Sequence, residues 1–436
     1  MTSRKRRLPS TDVKGTSKSK RGKFTLDHCE KPDTSISGIV LVTGAGDVGQ
    51  LGLGPDILEK SRPAFVKLDH KIVDICAGGM HTVCLTKEGK VITFGCNDEG
   101  ALGRVTEGKE DAEFEPGEVD LPGKVVQISA GDSHTAALLE DGRVFAWGTF
   151  RDSHGVMGLT PSGNQRAPYE IIREQKIMKI ASGADHIVLL NNHGEVYTCG
   201  CAEQGQLGRT SERFSDRSYR RNGGVSGKEQ LDVLLLPRKI RLNPYSKLHF
   251  ENIWASTYGT FCKVADTDQV YVFGLNNFHQ IGLKNLVPQF TPTLSKEFSK
   301  YKWKMITGGQ HHTIALDTDG KVYAIGRREY GRLGLGKDCE DATVLKVVEE
   351  LSEKKVINVA SGSATSFAVT REGELYSWGM GTNGQLGTGE EDDCESPALI
   401  KSKQLEGRKA VRCSSGGQHS VFLAVNVVNN NKGDGD

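Results

Sequence analysis

A glycine pattern near the start of the chain is the first feature that could bind a phosphate. Gly44, Gly46 and Gly49 fit the G-x-G-x-x-G spacing of dinucleotide-binding loops and follow the apolar run IVLVT. Such a loop works when it opens a helix whose N-terminal amides receive the pyrophosphate. Here two more glycines and Pro55 fall in the first turns of that helix, where glycine costs about 1 kcal/mol and proline about 3 kcal/mol relative to alanine. We therefore expect no dinucleotide site and no cofactor.

Histidine recurs in a second glycine motif, A-G-x-x-H, and histidines brought together could bind a metal ion. Metal ligands must converge to bond length, whereas the equivalent turns of a symmetric repeat spread their imidazoles over a wide circle, so we expect no metal. Two other interpretations stay open: the histidine and glycine shape the turn, or the turns form a rim that binds a protein. Residues that differ between copies, such as Asp132, Asp185 and the doubled His311–His312, are the stronger functional candidates. The recurring histidines are His81, His134, His186, His311 and His419.

Motifs of covalent chemistry are missing from the sequence. Neither the nucleophile elbow G-x-S-x-G nor the phosphate-binding G-x-x-x-x-G-K-[ST] occurs. This favours a binding scaffold over an enzyme. An axial site of histidine and aspartate acting on a small molecule is the enzymatic alternative.

Both glycine motifs belong to a repeat that runs through most of the chain. The first motif has seven copies, among them FGCNDEGALG from Phe94, IGRREYGRLG from Ile325 and WGMGTNGQLG from Trp378. The glycines that open successive copies lie 51 to 53 residues apart, except that 74 residues separate Gly200 from Gly274. The long interval indicates an insertion of about 22 residues.

Each repeat also contains two alternating β segments that meet at a turn such as K-E-G or E-D-G, which is typical of a β-hairpin. With one strand before the hairpin and one after it, a unit of about fifty residues supplies four strands, as in a propeller blade. GIVLVTG, from Gly38, is a strand without a hairpin, and CSSGGQHSVFLAV, from Cys413, stops after one strand of its hairpin. We predict an all-β, seven-bladed β-propeller at 37–425, closed by strands from both chain ends.

The two ends of the chain differ from the propeller in composition. The formal net charge is only +1, yet basic residues crowd the first 23 positions. Such a block is typical of a disordered arm and of nuclear-localisation or nucleic-acid-binding segments. We predict a basic disordered arm at 1–36 and a disordered polar tail at 426–436. The candidate residues of the arm for DNA binding and nuclear localisation are Arg4, Lys5, Arg6, Arg7, Lys18, Lys20, Arg21 and Lys23.

Cysteine usage and hydropathy indicate the compartment. Ten cysteines occur without a C-x-x-C pair, mostly within strand-like runs, as expected for buried thiols in a reducing compartment. No apolar run of about 18 residues could span a bilayer, and no secretory signal follows the basic residues. We expect no membrane partner.

Two irregularities in the repeat could carry its function. The third copy of the glycine motif becomes WGTFRDSHGVMG, which predicts a protruding turn with its own contact chemistry, although ordinary sequence drift would also explain it. The insertion at 209–230 reads RTSERFSDRSYRRNGGVSGKEQ. Arginine suits acidic protein surfaces and phosphates, so this basic loop is a candidate binding element.

The repeats GDVGQLGLG, GGMHTVCL, GCNDEGALGR, SAGDSHTAAL, GGQHHT and EYGRLGLG resemble those of the regulator of chromosome condensation family, chromatin-bound exchange factors for the small GTPase Ran. The resemblance implies acceleration of GDP release and GTP loading without covalent chemistry, in a nuclear monomer that binds Ran, chromatin and a nuclear import receptor. A propeller scaffold or ubiquitin-ligase module without exchange activity is the alternative.

The resemblance also implies the residues of each contact. Those implied for Ran are a wedge formed by Phe150, Arg151, Asp152, Ser153, His154, Gly155, Val156 and Met157, together with Asp47, His81, Asp132, Asp185, Arg209, His311 and His419. Those implied for the acidic patch of the nucleosome are Arg213, Arg217, Arg220 and Arg221. The basic residues of the arm would reach DNA.

Overall fold

The computed structural model describes residues 24–26, 31–218, 227–243 and 246–427. The predicted fold is confirmed, because seven four-stranded antiparallel sheets follow one another around a central channel of about 590 Å³. We number them blade 1 to blade 7 from the first complete sheet, with the closing sheet as blade 7. In every blade the innermost strand lines the channel.

The closing blade begins with β1 (Ile39–Ala45) and β2 (Glu59–Phe65). Blade 1 contains β3 (Ile72–Ala77), β4 (His81–Thr86), β5 (Val91–Gly95) and β6 (Gly117–Val119). Blade 2 contains β7 (Val125–Ala130), β8 (His134–Leu139) and β9 (Val144–Gly148), then a separate hairpin, β10 (Phe150–Asp152) and β11 (Gly155–Gly158), and its outer strand β12 (Gln165–Ile172). Blade 3 contains β13 (Ile177–Ser182), β14 (His186–Asn191), β15 (Val196–Gly200), helices α1 (Glu212–Ser215) and α2 (Gly227–Leu235), and β16 (Arg238–Lys239).

Blade 4 contains β17 (Phe250–Ala255), β18 (Gly259–Val264), β19 (Val270–Gly274) and β20 (Gln289–Ser295). Blade 5 contains β21 (Trp303–Gly308), β22 (His312–Asp317), β23 (Val322–Gly326) and β24 (Ala342–Val347). Blade 6 contains β25 (Val356–Ser361), β26 (Thr365–Thr370), β27 (Leu375–Gly379) and β28 (Cys394–Leu399), and blade 7 ends with β29 (Arg408–Ser415) and β30 (His419–Asn426). Short 3-10 helices occupy Phe298–Lys300, Glu329–Gly331, Glu349–Leu351 and Lys403–Leu405.

Both faces of each blade are covered by its neighbours, which explains the apolar strands. The second strand of five blades, for example HTVCLT in β4, is buried at every position. Seven apolar clusters fill the seven gaps between adjacent blades. Every gap between adjacent blades therefore stabilises the ring by burying apolar area, which is worth about 25 cal/mol per Å².

The glycine motif forms a turn and not a helix. Gly95 has a φ of 115°, and a Cβ atom there would lie 2.6 Å from the Met80 carbonyl oxygen, so no side chain fits. At the opening copy, residues 46–58 contain turns and bends only. The expectation that no helix follows Gly49 is confirmed.

Strands from both chain ends close the ring, as predicted. In blade 7 the strand order is β2-β1-β30-β29, and β1 pairs with β30 from Ile39↔Ala424 to Gly44↔His419. The pairing leaves β30 with a partner on each side, and therefore no unpaired edge at the closure.

Part of the predicted disordered arm contacts the propeller. The Leu26 amide donates to the Asn192 carbonyl at 2.8 Å, and Phe24 stacks on His249 with ring centroids 4.7 Å apart. Lys31 pairs with Glu140 at 2.7 Å. The prediction of disorder through residue 36 is therefore wrong for residues 24–26 and 31–36. The arm residues predicted for DNA binding and nuclear localisation lie outside the described residues, as do 428–436 of the tail; they are Arg4, Lys5, Arg6, Arg7, Lys18, Lys20, Arg21 and Lys23.

Candidate functional site

Strand pairing fixes which turn residues are equivalent around the ring. His81 opens β4 and pairs with Gly95. In blade 5 the corresponding pair is His312 with Gly326. The repeat histidine is therefore His312, and the placement of His311 in the histidine series was wrong by one residue. His311 is instead equivalent to Asp185, which precedes His186 in the same way.

The repeat histidines are interior residues. His81, His134, His186, His312 and His419 are at most 1% exposed. Four of the rings reach a hydroxyl of the next blade through Nε2, as in His81 to Thr135 at 2.8 Å and His419 to Thr82 at 2.9 Å. His134 packs edge-on against Phe150 instead, with centroids 4.8 Å apart. These contacts favour a structural role for His81 and His419, whose side chains face no solvent that a partner could displace.

Burial keeps these imidazoles neutral. It lowers the pKa of His81 to about 4 and the pKa values of His134, His186, His312 and His419 to about 3. A charged imidazole there would lose its hydration without gaining a counter-ion.

Acidic side chains gather at the channel mouth beside blades 2 and 3. Burial and the neighbouring Asp132 carboxylate raise the pKa of Asp185 to about 7, although its Oδ1 accepts the Arg151 amide at 2.7 Å. The pKa of Asp132 is also raised by desolvation, with the charge of Arg151 partly opposing the shift, although part of the residue is exposed. Burial first, then the charges of Asp132 and Asp185, raise the pKa of Tyr258. The mouth thus holds a carboxylate pair ready to accept a cation from a partner.

The hairpin β10–β11 stands beside this pair and coincides with the predicted wedge. At its base Phe150 and Met157 are 0% and 6% exposed and belong to the core between blades 2 and 3. Arg151, Ser153, His154 and Val156 are exposed along its sides and tip. A buried base with an exposed tip makes the hairpin a fixed projection of the propeller face.

Polar contacts hold the hairpin on several sides. Glu203 accepts the Ser153 amide at 2.9 Å, and Glu99 pairs with Arg151 at 2.7 Å. Arg217, from the insertion, forms two hydrogen bonds with the carboxylate of Asp152. Glu99 and Glu203 were not identified from the sequence. Both are acidic residues at variable positions of the glycine motif, in the two repeats next to that of the hairpin, and this was the available signal.

A metal ion is disfavoured at the hairpin. Ligand atoms of Asp152, His154 and Glu203 lie within 4.8 Å of one another. Both oxygens of Asp152 already accept from Arg217, so this carboxylate is committed to a cation of the protein itself.

His311 forms a second centre on blade 5. Its ring contacts Phe278 edge-on with centroids 5.2 Å apart, and the Arg327 guanidinium lies 5.0 Å from the Phe278 ring centre. Burial, and then the charges of Arg332 and Arg327, lower the pKa of His311. This half-buried imidazole therefore offers a neutral hydrogen-bonding group. Asp47 is exposed on the closing blade and accepts from Gln50 at 3.1 Å.

Arg209 has a structural role in its blade, whereas its assignment to the partner surface stays a prediction. Its guanidinium donates to the carbonyl oxygens of Thr198, Val233 and Leu234 at 2.7 to 3.1 Å, and burial lowers its pKa to about 10. Arg104 makes equivalent bonds to Thr93 in blade 1. The recurrence of L-G-R at both positions was the sequence signal for this role.

Replacing Arg209 with alanine should lower the free energy of unfolding by about 3 kcal/mol or more. The change deletes several hydrogen bonds from a charged donor, each worth about 1.5–3 kcal/mol, and leaves buried carbonyls unpaired. Thermal and denaturant unfolding measure the loss, with the exposed Arg371→Ala as the control. Equal stability of the two variants would contradict the structural role.

The predicted nucleosome-binding arginines separate into three groups. Arg213 is exposed on α1. Arg217 is only 14% exposed and is bound to Asp152, so its guanidinium faces the hairpin and not the solvent. Arg220 and Arg221 lie outside the described residues.

Within the part of the chain that the structure describes, no helix is long and apolar enough to cross a membrane.

Comparison with known proteins shows which family this chain is similar to. The model of the RCC1-like domain matches residues 39–422. The regulator of chromosome condensation of Xenopus laevis is 47% identical over 96% of this chain and 97% of its own length, and that of Homo sapiens is 45% identical over the same shares. The guanine nucleotide exchange factor SRM1 of Saccharomyces cerevisiae is 30% identical over 88% of this chain and 86% of its own length.

Solved structures with the same fold include Prp20p of Saccharomyces cerevisiae, described with its binding properties to Gsp1p and histones. It is 29% identical, with a TM-score of 0.81 over 92% of this chain and 94% of that chain. A second structure shows Kap60 bound to the yeast protein, at 28% identity and a TM-score of 0.82 over 97% of each chain.

Proposed function

This chain belongs to the family of the RCC1-like domain, and from that premise we propose that it is a guanine nucleotide exchange factor for the small GTPase Ran, acting on chromatin in the nucleus. The similarity covers 96% of the chain to relatives named for chromosome condensation, and a more distant relative is named as a guanine nucleotide exchange factor.

The observation that carries the proposal is the hairpin β10–β11 beside the acidic mouth. Its base is locked in the core by Phe150 and Met157, so its tip can press into a partner without first losing conformational entropy. Val156 is 42% exposed near the tip and supplies apolar contact. A rigid wedge next to a binding pair suits a protein that displaces a loop of its partner.

Exchange by such a surface needs no covalent step. If the propeller binds the nucleotide-free GTPase more tightly than the loaded form, linkage requires that it weakens nucleotide binding by the same factor. The nucleotide leaves, and the more abundant nucleotide enters. Asp132, Asp185 and the wedge would supply the preference for the empty form.

Asp185 is suited to a basic side chain of the partner. With its pKa near 7, it is partly protonated in the free propeller. An incoming lysine or arginine would stabilise the ionised carboxylate and lower that pKa. Binding of the partner should therefore release a proton near neutral pH.

Chromatin binding and nuclear import form the finer part of the proposal. A yeast relative was described with histones, and another structure of it holds Kap60. The basic arm has the composition of an import and DNA-binding segment. The exposed Arg213 is the described residue of the insertion best placed to meet an acidic histone surface.

Catalytic amounts of the protein should accelerate release of fluorescent GDP from Ran, and Asp185→Ala and His311→Ala should each slow release by about tenfold, equivalent to about 1.4 kcal/mol of lost partner contact. Both residues stand at the variable turn position, where the glycines and the buried histidines, not these side chains, define the backbone. Stopped-flow fluorescence at saturating Ran measures the rates.

Asp69→Ala provides the matched control, since Asp69 is an exposed aspartate before β3, at the opposite end of the inner strand. Melting temperatures of all variants should be compared. Wild-type release rates in both Asp185→Ala and His311→Ala would contradict the assignment of these two residues to the surface that binds Ran. No acceleration by the wild-type protein would favour a scaffold without exchange activity.

A further inference from the structure

We infer that Arg217 is a positioning residue for the wedge, so that the basic insertion serves the exchange face as well as any chromatin partner. The effect on exchange rests on the proposed function, whereas the effect on the hairpin does not. The hairpin belongs to blade 2 and the insertion to blade 3, but Arg217 of the insertion bonds to Asp152 of the hairpin.

The guanidinium of Arg217 lies against the hairpin turn. It donates through Nε and Nη2 to the two oxygens of Asp152. It also donates to the carbonyl oxygens of Gly155 at 3.2 Å and Val156 at 3.4 Å. One side chain thus contacts both strands at the end where the turn joins them.

The Asp152 carboxylate depends on this contact. Its side chain is 1% exposed, and that of Arg217 is 14% exposed. A buried carboxylate that loses its partner is left as an uncompensated charge, which is strongly unfavourable. Without Arg217, the carboxylate keeps the His154 amide as a donor at 2.9 Å, and the turn must open to hydrate the rest of it.

The hairpin has few interactions of its own with which to resist opening. Its strands contain three and four residues, and their pairing shifts register after Phe150. Two-stranded ribbons of this size are marginal in water. Side-chain contacts from the rest of the propeller must therefore fix its tip, and Arg217 is the contact that comes from outside the repeats.

The insertion holds Arg217 through a continuous set of contacts. Gln230 of α2 is buried and donates to the carbonyl oxygens of Phe214 at 2.7 Å and Asp216 at 3.1 Å. Leu234 and Leu235 of the same helix pack in the core between blades 2 and 3. The path from this core to the wedge therefore runs through α2, the segment beside it and Arg217.

Hydrogen–deuterium exchange of the full chain without Ran tests the first part of the inference. Arg217→Ala should raise the exchange rate of the amides of residues 153–156 by about tenfold or more, equivalent to about 1.4 kcal/mol. Arg217→Lys should have an intermediate effect, since lysine keeps the charge but not the forked geometry. Arg173→Ala, which removes an exposed arginine that follows the outer strand of blade 2, should leave these amides unchanged.

A double variant separates positioning from general destabilisation. Asp152→Asn combined with Arg217→Gln removes both charges, so residues 153–156 should be better protected than in Arg217→Ala alone. If Arg217→Ala does not fold, Arg217→Lys and the double variant still decide the question. Wild-type protection in all of them would overturn the inference.

Nucleotide release from Ran tests the consequence. Arg217→Ala should lower kcat by about fivefold or more with a smaller change in KM, because the wedge acts after the partner is bound. If Arg217→Ala loses amide protection but releases nucleotide at the wild-type rate, Arg217 positions the hairpin, and the hairpin is not the exchange wedge. Slower nucleotide release with unchanged amide protection would overturn the role of Arg217 as a positioning residue.

Discussion

Acidification should destabilise this propeller steeply below pH 6.5, because five histidines are buried without charge between its blades. Each has a pKa of about 3 or 4 in the folded protein and about 6.5 when unfolded. As the pH falls through 6.5, the unfolded chain binds protons that the folded chain cannot bind. Each histidine then costs about 1.4 kcal/mol per pH unit until its folded pKa is reached.

Asp185 acts in the opposite direction. Its pKa of about 7 in the fold exceeds the ordinary value of 3.8, so its contribution to stability is present below about pH 4 and is lost as the pH rises towards 7. Asp132, whose pKa is also raised, acts in the same direction. These two carboxyl groups oppose five histidines, so the net stability still falls with acid. Urea unfolding at a series of pH values gives the slope, and with it the number of protons taken up.

His134→Thr is the matched variant for this experiment. Thr365 already occupies the equivalent position in blade 6, and among the described residues neither ring nitrogen of His134 has a hydrogen-bond partner. The variant should fold and take up one proton fewer on unfolding between pH 6 and 4. The same proton uptake in the variant and the wild type would show that these histidines do not determine acid stability.

Deleting residues 1–46 should abolish the folded monomer. The deletion removes β1, in which Val40, Leu41 and Val42 are at most 1% exposed. Full burial of such a side chain is worth about 1.5–3 kcal/mol, so the three together approach the whole stability of a typical domain, about 5–15 kcal/mol. Light scattering and far-UV circular dichroism should report aggregation or lost strand content.

Deletion of residues 1–23 is the control, because it keeps every described contact of the arm and the closing strand. This variant should melt at the wild-type temperature. A peptide containing residues 31–46, added to the longer deletion, should restore the fold by supplying β1. A stable monomer without β1 would show that the ring does not need its closing strand.

The repeat made the architecture predictable, but not every residue within it. Motif spacing determined the blades, and two incomplete strand patterns determined the closure. The histidine series failed at GGQHHT, since a doubled histidine offers two registers and only the pairing of His312 with Gly326 selects one. Arg209 could have been identified as structural, because Arg104 repeats its motif and its contacts.

The contact between Arg217 and Asp152 could not have been predicted in the same way. The two residues are 65 positions apart, and neither belongs to the part of the motif that recurs. Their meeting depends on the path of an insertion with no periodicity. The raised pKa of Asp185 is similarly a property of the assembled mouth, because it comes from burial and then from the charge of Asp132 in another blade.

The closure of blade 7 has a mechanical consequence. Ile39 pairs with Ala424, and β1 and β30 are antiparallel, so the chain enters and leaves this ladder at the same end. Tension applied to the two termini would break the hydrogen bonds between β1 and β30 one pair at a time from this end. It would not load all of them together in shear. A ring that unfolds cooperatively on heating should therefore peel open at low force from this seam.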